Sequence, residues 1–275
     1  MTRAIVHFPT SARPPGRFRL DDVNWVGVGA LYAKEVRRFL KQPIYTVLAP
    51  MTTGLLFLTV FVVALGDVAR GIGPVPLAVF LVPGLAMMTL IQTSFENPAG
   101  SLLSSKLLGS IIDLMMAPLS PGEILFGYVM AGVTRGLLVA TVMLVLVQPL
   151  VGVVPIHPGY VIFHAVAAAV SLAALGFAVG LWAAKWDHLE AVAQFTITPL
   201  AILSGTFYSV DRLPGVWHRL SEFNPFFYMI DGFRYGFIGH ADGSLGAGLA
   251  VMTVLPVALL ALAYGLIRAG YKVRS

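Results

Sequence analysis

Residues 136–184 read GLLVATVMLVLVQPLVGVVPIHPGYVIFHAVAAAVSLAALGFAVGLWAA, forty-nine positions without one Asp, Glu, Lys or Arg. A helix that crosses a bilayer needs roughly 20 apolar residues, so this stretch is long enough for two crossings. Its centre holds Gln148-Pro149 and the run Pro155-Ile156-His157-Pro158-Gly159, and proline and glycine interrupt helices. The stretch therefore predicts two membrane-spanning helices, about 122–148 and 158–184, joined by a short turn.

The rest of the chain shows the same pattern. It is 57% hydrophobic and only 11% charged over 275 residues, whereas a soluble domain carries about 25% charged residues. This composition excludes a soluble enzyme, a disordered chain and a nucleic-acid-binding protein. Further charge-free runs at 42–66, 71–95, 191–210 and 243–267 add four spans. We therefore expect an all-α membrane protein whose six transmembrane helices lie at about 44–66, 76–97, 122–148, 158–184, 190–208 and 248–268.

The Lys and Arg residues indicate how these spans are oriented. If both termini lie in the cytoplasm, the inside segments carry twelve Lys and Arg and the outside segments carry four. Positive residues accumulate on the cytoplasmic side of membrane proteins. The count predicts that the N and C termini are both cytoplasmic, and most of the difference comes from the first 41 residues.

Four segments outside the spans have distinct patterns. Residues 1–23 are rich in Pro and Arg, which predicts a disordered cytoplasmic tail. Residues 24–41 predict an amphipathic interfacial helix, with a solvated basic lead-in as the alternative. Residues 98–121 form a polar loop that contains a helical run. Residues 209–237 are rich in aromatic residues interrupted by charges, and Asn224-Pro225 divides them, which predicts an outer re-entrant helical hairpin between spans 5 and 6.

No catalytic or nucleotide-binding pattern is visible. The sequence has no cysteine, no phosphate-binding loop and no carboxylate deep in a span, so we expect no catalytic, cofactor or metal site. Arg135 is the exception among the spans, because it lies about 12 residues, roughly 18 Å, into the third one. We expect it to form an interhelical clamp with Glu96 or to line a translocation path; snorkelling to the membrane surface is a third possibility.

Five segments together resemble the membrane subunit of ABC type-2 exporters, and within that family the YadH-like small bacterial permeases. The resemblance covers about residues 24–270. The segments that carry it are AKEVRRFLKQP (33–43), FLVPGLAMM (80–88), SSKLLGSIIDLMMAPLSPGEILFGYV (104–129), GVTRGL (132–137) and TPLAILSGTFYSVDRLPGVWHRLSEFNPFFYMIDGFRYGFIG (198–239).

This resemblance implies a six-span ABC type-2 transmembrane domain over residues 44–268 that works as a dimer above two cytoplasmic ABC ATPase subunits. ATP and magnesium would bind to those partner chains and not to this one. Helix 24–41 and the coupling loop 98–121 would contact the ATPases, and the hairpin would cap the outer side. The residues expected at the ATPase contact are Glu35, Arg37, Arg38, Lys106, Leu107, Ile111 and Asp113. Those expected in the outer cap are Phe207, Tyr208, Trp217, Phe226, Phe227 and Tyr228.

We accordingly expect a multi-pass permease of a bacterial inner membrane that exports an amphipathic, lipid-linked or glycan-type substrate. Its expected partners are a second copy of itself, the ATPases and membrane lipid, without nucleic acid. Two alternatives remain open, an ATP-independent scramblase or channel and a membrane-embedded transferase. For loop 98–121, the alternative to a docking element is a surface helix that rests on lipid headgroups.

Overall fold

A computed structural model describes residues 23–65 and 75–271, and both parts are helical apart from short connections. The predicted tail 1–23 lies outside the described residues except for Val23, and so does the predicted end of the first span at Gly66. The α-helices are α1 (Trp25–Leu40), α2 (Ala49–Leu65), α3 (Leu77–Leu107), α4 (Ile111–Met116), α5 (Pro121–Val151), α6 (Pro158–Trp182), α7 (Trp186–Val192), α8 (Thr198–Ala201), α9 (Gly215–Phe223), α10 (Pro225–Ile238) and α11 (Leu245–Arg268).

Five helices of the described chain are long and apolar enough to cross a membrane. They are Ile44–Val63, Leu77–Leu107, Pro121–Val151, Pro158–Trp182 and Leu245–Arg268, and each corresponds to one predicted span. The predicted turn within the charge-free stretch is confirmed, because α5 ends at Val151 and α6 starts at Pro158. Span 190–208 is not among the five, so the count of six stays a prediction.

The chain around the predicted span 190–208 is helical but irregular. It contains α7, the π-helical turn Ala193–Ile197, α8 and a second π-helical turn, Ile202–Thr206. Pro199 has no N–H to donate to the carbonyl four residues back, and a π-helical turn accommodates such a break. Ser204 and Gly205 then leave the helical conformation, with a positive φ of 79° at Gly205, which ends the helix.

The middle of the molecule is formed by α3, α5 and α6, which pack closely through small residues. A Cβ added to Gly176 of α6 would collide with the backbone carbonyl of Phe95, and one on Gly180 would lie 2.9 Å from the carbonyl oxygen of Ala99. On α5, a Cβ at Gly132 would lie 3.0 Å from the carbonyl oxygen of Ser94. Glycines four residues apart therefore let these backbones approach each other.

Helix α3 is longer than the predicted span 76–97, because it continues through Pro98 to Leu107. The expected 24-residue loop is therefore wrong in extent, and the connection between α3 and α5 covers only 108–120, with α4 inside it. The chain stays helical beyond Pro98 because Ser101, Leu102 and Leu103 are buried among neighbouring helices. Packing outweighs the proline here, as tertiary contacts commonly outweigh local preference.

Helix α1 packs along α5. Asn24 caps its first turn by accepting a hydrogen bond from the N–H of Gly27, and Tyr32 contacts Thr134 of α5 at 2.9 Å between their hydroxyl oxygens. Its buried face contains Val28, Leu31, Glu35 and Phe39. The spacing of three to four residues in the sequence predicts an apolar face made of Trp25, Val28, Tyr32, Val36 and Phe39. The buried face is rotated from that prediction, because Trp25 is exposed and Glu35 lies inside.

Candidate functional site

A buried polar cluster joins α1 to α3. The carboxylate of Glu35 is 0% exposed, and its Oε2 accepts a hydrogen bond from the hydroxyl of Ser101 at 2.7 Å. Nε of Arg38 donates to the same oxygen at 3.1 Å. A buried carboxylate is costly unless it is paired and hydrogen-bonded. Ser101 and Arg38 supply hydrogen bonds to Oε2, and Nζ of Lys34 lies 3.7 Å from Oε1 as a second cation.

Arg38 extends this cluster toward the middle of α3. Its Nη2 donates to the backbone oxygen of Asn97 at 3.0 Å and to the side-chain Oδ1 at 3.2 Å. Glu35, Arg38, Asn97 and Ser101 are called the α1–α3 junction below. Oε1 of Glu35 and Nδ2 of Asn97 have no hydrogen-bond partner in this conformation, and buried polar atoms of this kind are uncommon in folded proteins.

Arg135 and Glu96 meet beside this junction. Nη2 of Arg135 lies 3.6 Å from Oε2 of Glu96, and the two side chains are 11% and 46% exposed. The predicted contact between α5 and α3 is therefore present in the structure. Glu96 lies near the middle of α3 and not at the end of a helix, because α3 continues eleven residues beyond it.

Glu96 also lines a cavity of about 300 Å³ between α2, α3 and the irregular segment 193–202. Polar side chains from three elements face this space. They are Thr53, Thr89, Gln92, Glu96, Gln194 and Thr198. The span that contains α2 is only 17% buried, so much of its surface is available to lipid or to another protein.

The expected ATPase-contact residues do not share one surface. Glu35 is buried in the α1–α3 junction, whereas Arg37 is exposed. Nζ of Lys106 donates to the carbonyl oxygens of Leu181 and Ala183 at 2.7 and 2.6 Å. It therefore caps the C-terminus of α6, where free carbonyls and the helix dipole attract a cation.

The connection between α3 and α5 nevertheless has an apolar surface. Leu107 is exposed as expected and Asp113 is exposed beside it, but Ile111 faces inward. The exposed apolar side chains are Leu107, Leu108, Ile112, Met115 and Met116. Next to them, a groove of about 530 Å³ separates α4 from α1, with Lys34 and Asp113 on its rim.

The six expected cap residues are also divided between surface and core. Trp217 is exposed, while Phe226 and Phe227 are buried because α10 packs against α3, α6 and α11. The ring of Phe207 stacks on Phe61 of α2 at 4.7 Å. The hydroxyl of Tyr208 donates to the carbonyl oxygen of Leu203 at 2.8 Å, and Tyr228 is half-buried.

Arg234 is a buried residue that the sequence patterns did not single out. Its Nη2 donates to the carbonyl oxygen of Gly205 at 2.6 Å, and its guanidinium lies 3.8 Å from the centre of the Phe80 ring. Three residues earlier, Asp231 accepts hydrogen bonds from the backbone N–H groups of Asp242 and Gly243. The sequence feature that could have identified Arg234 is its spacing from Asp231, because an Asp and an Arg lie one helical turn apart within an apolar, aromatic helix.

Comparisons with known proteins agree with this architecture. The family model described as "ABC-2 type transporter" matches residues 27–238. The chain is 34% identical over 252 residues to the inner membrane transport permease YadH of Escherichia coli K12, which covers 91% of this chain and 98% of that protein. It is 21% identical to nodulation protein J of Sinorhizobium fredii, over 89% and 93% of the two chains. The chain thus belongs to the ABC-2 type transporter family of membrane permeases.

Proposed function

We propose that this chain is the permease subunit of an ATP-driven exporter in a bacterial inner membrane. The observation that carries the proposal is the α1–α3 junction. It ties an amphipathic helix, beside an exposed apolar surface, to the long helix that lines the polar cavity. A force applied to α1 or α4 would therefore reach α3. ATP and magnesium would bind on a separate ATPase chain.

The surface formed by α4 and the preceding turn is the proposed ATPase contact. An apolar area is exposed by Leu107 at the end of α3 and by Leu108, Ile112 and Met116 in the connection. A short connection does not need such an exposed area for its own folding. The groove between α1 and α4 would seat part of the partner. Lys34 and Asp113 would lie at the rim of this groove, where single charges adjust binding modestly.

The polar cavity beside Glu96 is the proposed part of the substrate path. Segment 190–208 would be the sixth span, and the exposed faces of α2 and of this segment would meet a second copy of the chain. Two copies would then enclose one pathway around a two-fold axis. Arg135 would hold α5 against α3 and present a polar group toward that pathway.

The proposed direction of transport follows from the charge distribution, and the proposed substrate class follows from the walls of the cavity. With both termini cytoplasmic, α9 and α10 would lie on the outer side as a re-entrant hairpin, and its exposed aromatic side chains suit the headgroup region of a bilayer. An amphipathic, lipid-linked or glycan-type substrate fits a cavity with both polar and apolar walls. A scramblase or channel would need no ATPase, and a transferase would need catalytic side chains at one membrane face.

The double substitution Ile112→Asp and Met116→Asp tests the ATPase contact. Both side chains are exposed, so the permease should still fold. Its affinity for the ATPase should fall at least about tenfold, because hydrophobic anchors dominate such interfaces. Phe223→Asp is the control, because Phe223 is also exposed, at 87% against 61% for Ile112 and 79% for Met116, but belongs to α9.

The measurement is co-purification of the ATPase from membranes, followed by native mass spectrometry of the complex. We expect two permease copies with two ATPase copies for the wild type and for Phe223→Asp, and permease alone for the double variant. A wild-type chain that never retains an ATPase would favour the scramblase or channel. A double variant that retains the ATPase would show that α4 is not the surface that binds it.

A further inference from the structure

Asp211, His240 and Asp242 come together at the end of the molecule opposite α4, in the part of the chain that the structure describes. One ligand-type atom from each residue lies within 4.8 Å of the others. Asp211 belongs to a 3₁₀ turn, Val210–Arg212, and the other two lie in the connection between α10 and α11. About thirty residues of sequence therefore separate the two sides of the cluster.

The distances inside the cluster exceed those of hydrogen bonds. Nε2 of His240 lies 3.7 Å from Oδ1 of Asp242 and 4.0 Å from Oδ2 of Asp211, beyond the 2.7–3.2 Å typical of hydrogen bonds. In a tetrahedral zinc site with bonds of about 2.0–2.1 Å, neighbouring ligand atoms stand roughly 3.4 Å apart. The three ligand atoms lie within 4.8 Å of one another, so rotation of the side chains would bring them to that spacing.

Asp242 is held in place before any ligand arrives. Its side chain is 3% exposed, its Oδ2 accepts the N–H of Val210 at 2.7 Å, and its own N–H donates to Asp231 at 2.8 Å. Its Oδ1 points toward His240 without a hydrogen bond among the described residues. Such supporting hydrogen bonds orient metal-binding carboxylates in known sites.

The other two side chains leave the cluster open to solution. His240 is 67% exposed and Asp211 is 49% exposed, so both can rotate toward an ion without disturbing the core. The buried guanidinium of Arg234 acts electrostatically on Asp242 and Asp231, so it offsets part of the negative charge of both carboxylates. Asp211, Asp242 and the imidazole of His240 are the groups that would face a divalent cation.

We propose that Asp211, His240 and Asp242 bind a divalent transition-metal ion of the zinc class. Imidazole together with carboxylate suits zinc better than calcium or magnesium, which prefer all-oxygen ligands. Three protein ligands leave a fourth position for water. His218, with Nε2 3.7 Å from Oδ1 of Asp211, would hold that carboxylate from its other side. The ion would brace the turn before α9 against the α10–α11 connection.

The test is zinc titration of the purified, tag-free full-length chain in detergent by isothermal calorimetry, after removal of bound metal with a chelator. We expect about one zinc per chain, a zinc-dependent rise in melting temperature, and no comparable effect of magnesium. His240→Ala and Asp211→Asn should each weaken zinc binding at least tenfold and remove the melting shift. Both side chains are exposed, so metal-free melting should stay at the wild-type value.

His188→Ala is the control, because His188 lies beside Trp182 at the other end of α6 and should leave zinc binding unchanged. The proposal is overturned if the wild type binds no zinc, or if His240→Ala binds it as tightly as the wild type. Equal loss in His188→Ala would also overturn it, because the binding would then be non-specific. These outcomes do not depend on the proposed export function.

Discussion

The pair formed by Glu35 and Arg38 is asymmetric, and the asymmetry has consequences for stability. Glu35 is completely buried, whereas the Arg38 side chain is 41% exposed. Without Glu35, the Arg38 cation could still reach water. Without Arg38, the buried carboxylate of Glu35 would keep only the hydrogen bond from Ser101 and the ion pair with the exposed Lys34 at 3.7 Å. Removing one partner of a buried pair is costly mainly because the remaining charge is uncompensated.

We therefore expect Arg38→Leu to lower the free energy of unfolding by about 3 kcal/mol, and Glu35→Gln to lower it by about 1 kcal/mol. The double variant should recover much of the loss from Arg38→Leu, because no buried charge remains. Thermal unfolding of the three purified variants in one detergent measures which variant loses the most stability and which the least. Equal losses in the two single variants would mean that Arg38 does not compensate Glu35.

Helix packing in the core depends on individual glycines, and α6 contains a matched pair for testing this. Gly176 faces the backbone of Phe95, where an added Cβ has no space, whereas a Cβ on Gly159 would have no neighbour within 4 Å. Both glycines belong to the same helix, but Gly159 is its second residue and Gly176 lies in its interior. The helix propensity gained with alanine is therefore larger at Gly176, and only the missing space for a Cβ can make that substitution destabilising.

Gly176→Ala should therefore destabilise the protein by about 1–3 kcal/mol, because α3 and α6 must move apart. Gly159→Ala should be neutral or slightly stabilising, since alanine favours helix over glycine by up to about 1 kcal/mol. Melting temperatures of the two variants provide the comparison. If the two variants change the melting temperature equally, close contact between the α3 and α6 backbones is not the reason that position 176 requires glycine.

The end of α3 and the connection after it serve two purposes. Lys106 of α3 turns back to cap α6, while Leu107 of α3 and Ile112 and Met116 of α4 are exposed. A docking test that included Ile111→Asp would be ambiguous, because Ile111 is buried and its loss would disturb folding as well as docking. Exposed positions on α4 separate the two effects.

The orientation of the whole molecule can be tested with single cysteines, because the chain has none of its own. Arg219 on α9 and Asp113 on α4 are both exposed. Ser221, which is also on α9, is a less suitable position for a cysteine because it is buried and would react slowly with the reagent. From the charge distribution we expect Arg219→Cys to react with a membrane-impermeant maleimide in intact cells. Asp113→Cys should react only after the membrane is permeabilised, and the reverse pattern would invert the topology.

The local patterns of the chain were sufficient for much of the helical plan. Long charge-free runs identify helices with lipid or protein on all sides, and proline and glycine mark the turn after Val151 and the break at Asn224. A contact between Arg135 and Glu96 was one of three possibilities that the sequence left open, because a charge within a span needs a partner, a polar path or access to the membrane surface. The structure has the two side chains 3.6 Å apart. All these features depend on residues close in sequence or on a single scarce charge.

Other features depend on contacts between distant residues, and local patterns do not encode those contacts. Pro98 looks like a helix end, but partners on α1 and α6 keep α3 helical to Leu107. In the sequence, Glu35 resembles a residue of a polar helix surface. In the structure it is buried between α1 and α3, where Ser101 and Arg38 donate hydrogen bonds to it. Asp211 and Asp242 become neighbours because Asp231 and the backbone of Val210 fix the connection after α10. In each case the free energy comes from burial and pairing across helices, which exist once the chain has folded.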